Sequence, residues 1–230
     1  MRRQTVAVLF ADVVGVTRMS EAVAPEAVVA MLRQLHDRMT AQVFASNGSI
    51  EKYAGDEIFA VSGIPEAGPN DAADAFNCAM GMLDALADWN RERVAAGDPP
   101  LALGVGINYG PAVFGDIGSE QSLASSVIGD TVNSASRLQG LTRNLQTPLV
   151  VSDAVVAAAT SSDDAKALAA LPHLRDRGRA GAARPHRARQ DLDLGRRFLR
   201  SFGLSSTLFA ARRSSCGHPD DFSLSHEDPR

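Results

Sequence analysis

The chain has 230 residues, 45% hydrophobic and 22% charged, with a net charge of −4. That length buries a real core and suits one ordinary domain with an appendage. The acidic balance argues against general nucleic-acid binding. No apolar run approaches the roughly 20 residues that span a bilayer. Of the 23 basic residues only Lys52 and Lys166 are lysines, and eleven arginines crowd between His173 and Arg213. The two cysteines, Cys78 and Cys216, lie far apart and form no disulfide framework, which points to a reducing, cytoplasmic compartment.

The N-terminal MRRQTVAVLFAD ends its short apolar stretch on an acid without a small-residue cleavage site, so it reads as a first strand and not a signal peptide. Within it Thr5–Ala11 has buried-strand length. From Pro25 to about Ser46, Val28, Met31, Leu32, Leu35, Met39 and Val43 recur at helical spacing, with Pro25 in the first turn and Asn47-Gly48 at the end. Ser49–Tyr53 and Glu57–Ser62 predict a hairpin around Ala54-Gly55-Asp56. A long helix follows from about Asp71 to Ala96, stopped by Gly97-Asp98-Pro99-Pro100. Strands are predicted at Leu101–Asn108, Ala112–Ile117 and Leu123–Ile128, then a helix at about Thr131–Thr142 and a strand at Pro148–Ser152. Asp153 would cap a last helix reaching Leu171. The order β-α-β-β-α-β predicts an α+β fold with a ferredoxin-like core, extended by further strands and helices. After His173 neither periodicity persists, so 173–230 reads as an arginine-rich, poorly ordered tail behind a domain at 1–172.

Three stretches carry chemistry: Leu9–Thr17, Glu51–Phe59 and Val127–Arg137. Asp12 ends an apolar strand, where an acid is costly unless a cation meets it; the plain alternative is a turn or cap acid. Asp56 sits at the hairpin tip, and its plain alternative is a turn aspartate. In the split arrangement the first strand neighbours the hairpin, so the two carboxylates can meet and hold two divalent ions. Gly15, in the Val13–Thr17 turn, would let backbone N–H groups approach phosphate. Lys52 is either a solvated edge charge or a donor to a purine nitrogen. Asn133 and Arg137, four apart on one helix face, are either an ordinary polar face or the means to orient a ribose and stabilise a pentavalent phosphorus. Gly104, Gly106 and Gly110 are spaced one residue too long for a dinucleotide fingerprint, and no P-loop occurs.

The stretches FADVVGVT, EKYAGDEIFAV, GVGINYGPAVFGDIG and VIGDTVNSASRL, in that order, resemble class III nucleotidyl cyclase catalytic domains over about Val6–Ser152. The resemblance implies two metal ions, Mg or Mn, held by Asp12 and Asp56 with the Val13 carbonyl. It implies triphosphate contacts from the loop with Gly15 and Thr17, and adenine reading by Lys52. Ser126 falls at the second base-reading position, as in a subgroup with serine or threonine there, some of whose members respond to bicarbonate. Asn133 and Arg137 match the transition-state pair. The implied activity is adenylate cyclase, converting ATP to cyclic AMP and pyrophosphate in a head-to-tail homodimer with shared active sites. The alternatives are an inactive cyclase-like binding or dimerisation module and, more weakly, a guanylate cyclase, which Lys52 opposes. Val16 replaces a common phenylalanine, Pro111 a phosphate-binding arginine of some members, and the family's C-terminal strands are not recognisable after Leu171.

Overall fold

The computed structural model describes residues 1–15, 23–119, 122–159, 173–174 and 209–211. In chain order they form β1 (Arg2–Val13), α1 (Pro25–Ala45), β2 (Ser49–Ala54), β3 (Glu57–Ser62), α2 (Asp71–Ala95), β4 (Leu103–Ser119), β5 (Ser122–Ile128), α3 (Asp130–Leu145), β6 (Leu149–Ser152), α4 (Asp153–Ala158), β7 (His173–Leu174) and β8 (Phe209–Ala211). The sheet order is β2-β3-β1-β4-β6-β8-β7, with β5 paired to β4. β1 is therefore central, antiparallel to β3 on one side and to β4 on the other. The first four strands give the ferredoxin-like order that the β-α-β-β-α-β pattern predicts.

Alternation along β1 divides the core between two faces. Ala7, Leu9, Ala11 and Val13 join Leu103, Val105 and Ile107 of β4 against α1 and α2. Met31, Leu35, Met39 and Val43 line the buried stripe of α1, each one helical turn from the next. On the other face Val6, Val8 and Phe10 pack with Val61, Val127 and Ala135, the last from α3. Helix α3 lies unusually close to β4: a Cβ at Gly106 would fall 2.1 Å from the Gln139 nitrogen. The glycines that fail as a dinucleotide fingerprint thus have a packing role.

Several boundaries differ from those the sequence predicts. Strand β1 extends to Val13, so Asp12 and Val13 are strand residues. The two strands predicted on either side of Tyr109–Pro111 are one, β4. Its outer edge pairs with β6 at 105–107 and with β5 at 113–119. Pro111 lies between those partners, where a missing N–H costs no ladder bond on that side. Ser152, not Asp153, is the N-cap residue of α4; the predicted continuation to Leu171 falls outside the described residues. Two short pieces of the tail, β7 and β8, stand at the sheet edge beyond β6.

Candidate active site

The last β1–β3 pair is Ala11 with Ile58, so the next residues, Asp12 on one strand and Glu57 and Asp56 on the other, share one end of the sheet. By alternation Asp12 lies on the face that carries Val6, Val8, Phe10 and α3. There it comes within hydrogen-bonding reach of Asp56. Burial, then the hydrogen bond and negative charge of Asp56, raise the Asp12 pKa to about 6, against the opposing pull of Arg143. Arg143, in the last turn of α3, donates from Nη2 to Asp12 Oδ2 at 2.6 Å. Its side chain is 55% exposed while that of Asp12 is 15% exposed, so the arginine reaches inward from solvent. Glu57 is also raised, by burial and by Asp56, and lowered by Lys52.

Two carboxyls held this close need positive charge to ionise together. Among the described residues no group of three or more His, Cys, Asp or Glu side chains converges. A close pair of carboxylates is an all-oxygen donor set of the kind that suits hard divalent ions such as Mg or Mn. The donor set fits. After Val13 the chain turns away: Val14 N–H donates to the Ala102 carbonyl at 2.8 Å, and Gly15 has φ +89°. Val16 and Thr17 lie outside the described residues.

Lys52 is an exposed residue of β2, paired with Phe59. The Phe59 ring stacks on Phe10 with centroids 4.7 Å apart, and both belong to the face that carries Asp12. A register shift between Ile50 and Lys52 leaves Glu51 out of the ladder. Ser126 of β5 pairs with Gly115 of β4 and, with Val127, lies near this neighbour of Lys52, where the two offset part of the rise that burial gives the Glu51 pKa.

Asn133 and Arg137 are both exposed on α3. The start of that helix is tied to β4 by Thr131 Oγ1, which donates to the Pro111 carbonyl at 2.7 Å, and by Asn108 Nδ2, which donates to the Thr131 carbonyl at 3.1 Å. Its end is tied to Asp12 through Arg143. At 1.5 Å per residue Asn133 stands about 15 Å along the axis from Arg143, and Arg137 about 9 Å. The chain thus brings Asp12 to Asp56 and Ser126 to the β2 strand of Lys52, but keeps Asn133 well away from its own aspartates. Sequence reading passed over Arg143, Glu51 and Glu57. The first two act through contacts between distant segments, while Glu57, next to Asp56, was within reach of the hairpin argument.

The family model of the adenylate and guanylate cyclase catalytic domain matches residues 1–167. The chain belongs to that family. The cyclase domain is 38% identical over 155 residues to adenylate cyclase 1 of Rhizobium meliloti (strain 1021), covering 67% of this chain and 23% of that protein. It is 36% identical over 159 residues to an adenylate cyclase of Anabaena cylindrica, covering 67% of this chain and 30% of the relative. The chain therefore spans less than a third of these relatives' length. Among solved structures, the guanylyl cyclase Cya2 aligns with TM-score 0.65 and 29% identity, over 80% of this chain and 87% of that one. The adenylyl cyclase CyaB from P. aeruginosa aligns with TM-score 0.58 and 29% identity, over 60% and 72%. Relatives of both base specificities share the fold, so the fold alone does not choose the nucleotide.

Proposed function

We propose that the chain is an adenylate cyclase that converts ATP to 3′,5′-cyclic AMP and pyrophosphate. The observation that carries the reading is the Asp12–Asp56 pair at the end of β1 and the β2–β3 hairpin, with Lys52 on the same hairpin. Asp12, Asp56 and the Val13 carbonyl would hold two divalent ions, whose chemistry is to acidify the ribose 3′-hydroxyl and neutralise phosphate charge. The 3′-oxygen attacks the α-phosphorus in line, its proton leaves to solvent, and the bond to the β-phosphate oxygen breaks. Arg137 offsets charge on the pentavalent phosphorus, and Asn133 holds the ribose in the attacking geometry. Gly15 and Thr17 meet the triphosphate, and Lys52 and Ser126 read the base. This is positioning and electrostatics, as phosphoryl transfer generally is.

The span of about 15 Å between Asn133 and the Arg143 end of α3 supports a shared site. The aspartates of one subunit would work with Asn133 and Arg137 of the other, in a head-to-tail homodimer. A second reading, a cyclase-like module without turnover, draws on the Arg143–Asp12 ion pair, which engages a carboxylate that metal would need.

The test is cyclic nucleotide formation by the purified chain with Mg or Mn and ATP or GTP, beside Asp56→Ala. Cyclic AMP from ATP, reduced about 1,000-fold by the substitution, is expected. Absence of product at high protein concentration would favour the module. Cyclic GMP as the main product would overturn the base assignment.

A further inference from the structure

Arg143 has no role in the mechanism above, yet packing places it on a carboxylate that the mechanism needs. Asp12 pairs with Gly104 across the β1–β4 ladder. Over Gly104 lies the end of α3, where an added Cβ would run into the Thr142 hydroxyl. Thr142 is buried, and its hydroxyl donates to the Gln139 carbonyl at 2.6 Å. The seating of the helix therefore delivers the next residue, Arg143, to Asp12. Its Nη2 donates to Asp12 Oδ2 at 2.6 Å, the one ion pair of Asp12 among the described residues.

The two partners are unequally held. The aspartate is largely enclosed, while more than half of the arginine side chain meets solvent. An ion pair with one well-solvated partner is weak and opens readily. Once open, Arg143 keeps a favourable seat, because it lies in the last turn of α3, where the helix attracts a cation. A guanidinium and a divalent ion repel each other, and here they seek the same oxygen. A guanidinium that leaves a carboxylate has a strong alternative in phosphate, whose oxygens accept its forked N–H groups two at a time.

We propose that Arg143 is a movable cation of the active site: paired with Asp12 it withholds Oδ2 from a divalent ion, and it passes to the triphosphate when substrate binds. Arg143 has this role only if Asp12 and Asp56 hold metal, as proposed above. It makes ion and triphosphate bind better together than their separate affinities would give.

Binding is read at pH 8 on the full chain, the wild type beside Arg143→Gln, Arg143→Met, Arg91→Gln and Asp56→Ala. Electron paramagnetic resonance of free Mn(II) gives the metal affinity without nucleotide. Titration of a fluorescent ATP analogue at saturating Mn(II) gives the nucleotide affinity. Arg143→Gln should bind Mn(II) about 5- to 10-fold more tightly and the analogue about 5- to 10-fold more weakly, the size of an ordinary coupling between ligands. Arg143→Met, with a comparable stem and no charge, should do the same and stands in if the glutamine variant is insoluble. Arg91→Gln removes an equal charge from an exposed pair with Asp88 on α2 and should move neither affinity more than about twofold. Asp56→Ala should lose Mn(II) binding.

A merely structural role for Arg143 would weaken both affinities in Arg143→Gln, and that result overturns the proposal. So does an Mn(II) affinity, or an analogue affinity, that the substitution leaves unmoved. Mn(II) binding that is absent from wild type and Arg143→Gln alike, or indifferent to Asp56→Ala, overturns the metal reading and the role of Arg143 with it.

Discussion

Asp12 is the residue on which the proposed site turns, and its environment makes it a weaker acid than a free carboxyl. Burial and Asp56 lift its pKa from 3.8 to about 6. The folded state therefore holds this proton at pH values where the unfolded chain has released it. Folding stability from this group is present below the unfolded pKa and is lost as pH rises through about 6. Thermal melts in chelator between pH 4.5 and 7.5 should show the wild type losing stability with rising pH relative to Asp12→Asn, which cannot ionise. Equal pH slopes would contradict the environment described. A different residue makes a simpler case: Cys78 lies buried in α2, with its thiol pushed up to about 12 by desolvation. Its thiolate is scarce at pH 8. Alkylation by iodoacetamide, followed by mass spectrometry of the digest, should label Cys78 only after denaturant is added.

Helix α3 shows how an element, more than a residue, sets the site. It presses on β4 where Gly106 has no side chain, and a methyl there would meet the Gln139 nitrogen and the Ala135 carbonyl at 2.1 and 2.6 Å. Gly106→Ala should destabilise the domain by about 1–3 kcal/mol, read as a shift in the denaturant midpoint at constant m-value. The same helix separates Asn133 from the aspartates. If sites are shared, Asp56→Ala and Arg137→Ala chains should each be nearly inactive alone. Mixed, they should recover about a quarter of wild-type activity, because half the dimers then hold one intact site of two. Complementation that fails while the mixed chains still associate would count against the shared site. The hydrophobic periodicities placed most elements, since α1, α2 and the β2–β3 hairpin carry their own local patterns. Strand β4 was misread as two because Gly110-Pro111 is a turn signal in isolation. Only its pairing, with β1 throughout and with β6 and then β5 outside, carries it through that dipeptide.

For the whole molecule, the proposed site, if assembled from two chains, makes turnover depend on protein concentration. Specific activity should rise with concentration until the dimer saturates, in step with the dimer fraction measured by sedimentation. Activity constant over dilution into the monomer range would contradict the arrangement. Among the described residues no helix is long and apolar enough to cross a membrane.

The sequence alone determined the α+β order, the family and the candidate residues Asp12, Lys52, Asp56, Asn133 and Arg137. These depend on local spacing and on motifs that keep their order along the chain. It could not show that Arg143 meets Asp12, that Val127 packs with Val6, Val8 and Phe10, or that Asn133 stands far from its own chain's aspartates. Those are contacts and distances between segments far apart in sequence. They follow from the close seating of α3 on β4 and from the packing of Val127 across the sheet face. Such packing is decided by shape complementarity in the assembled core, which no single stretch of sequence contains.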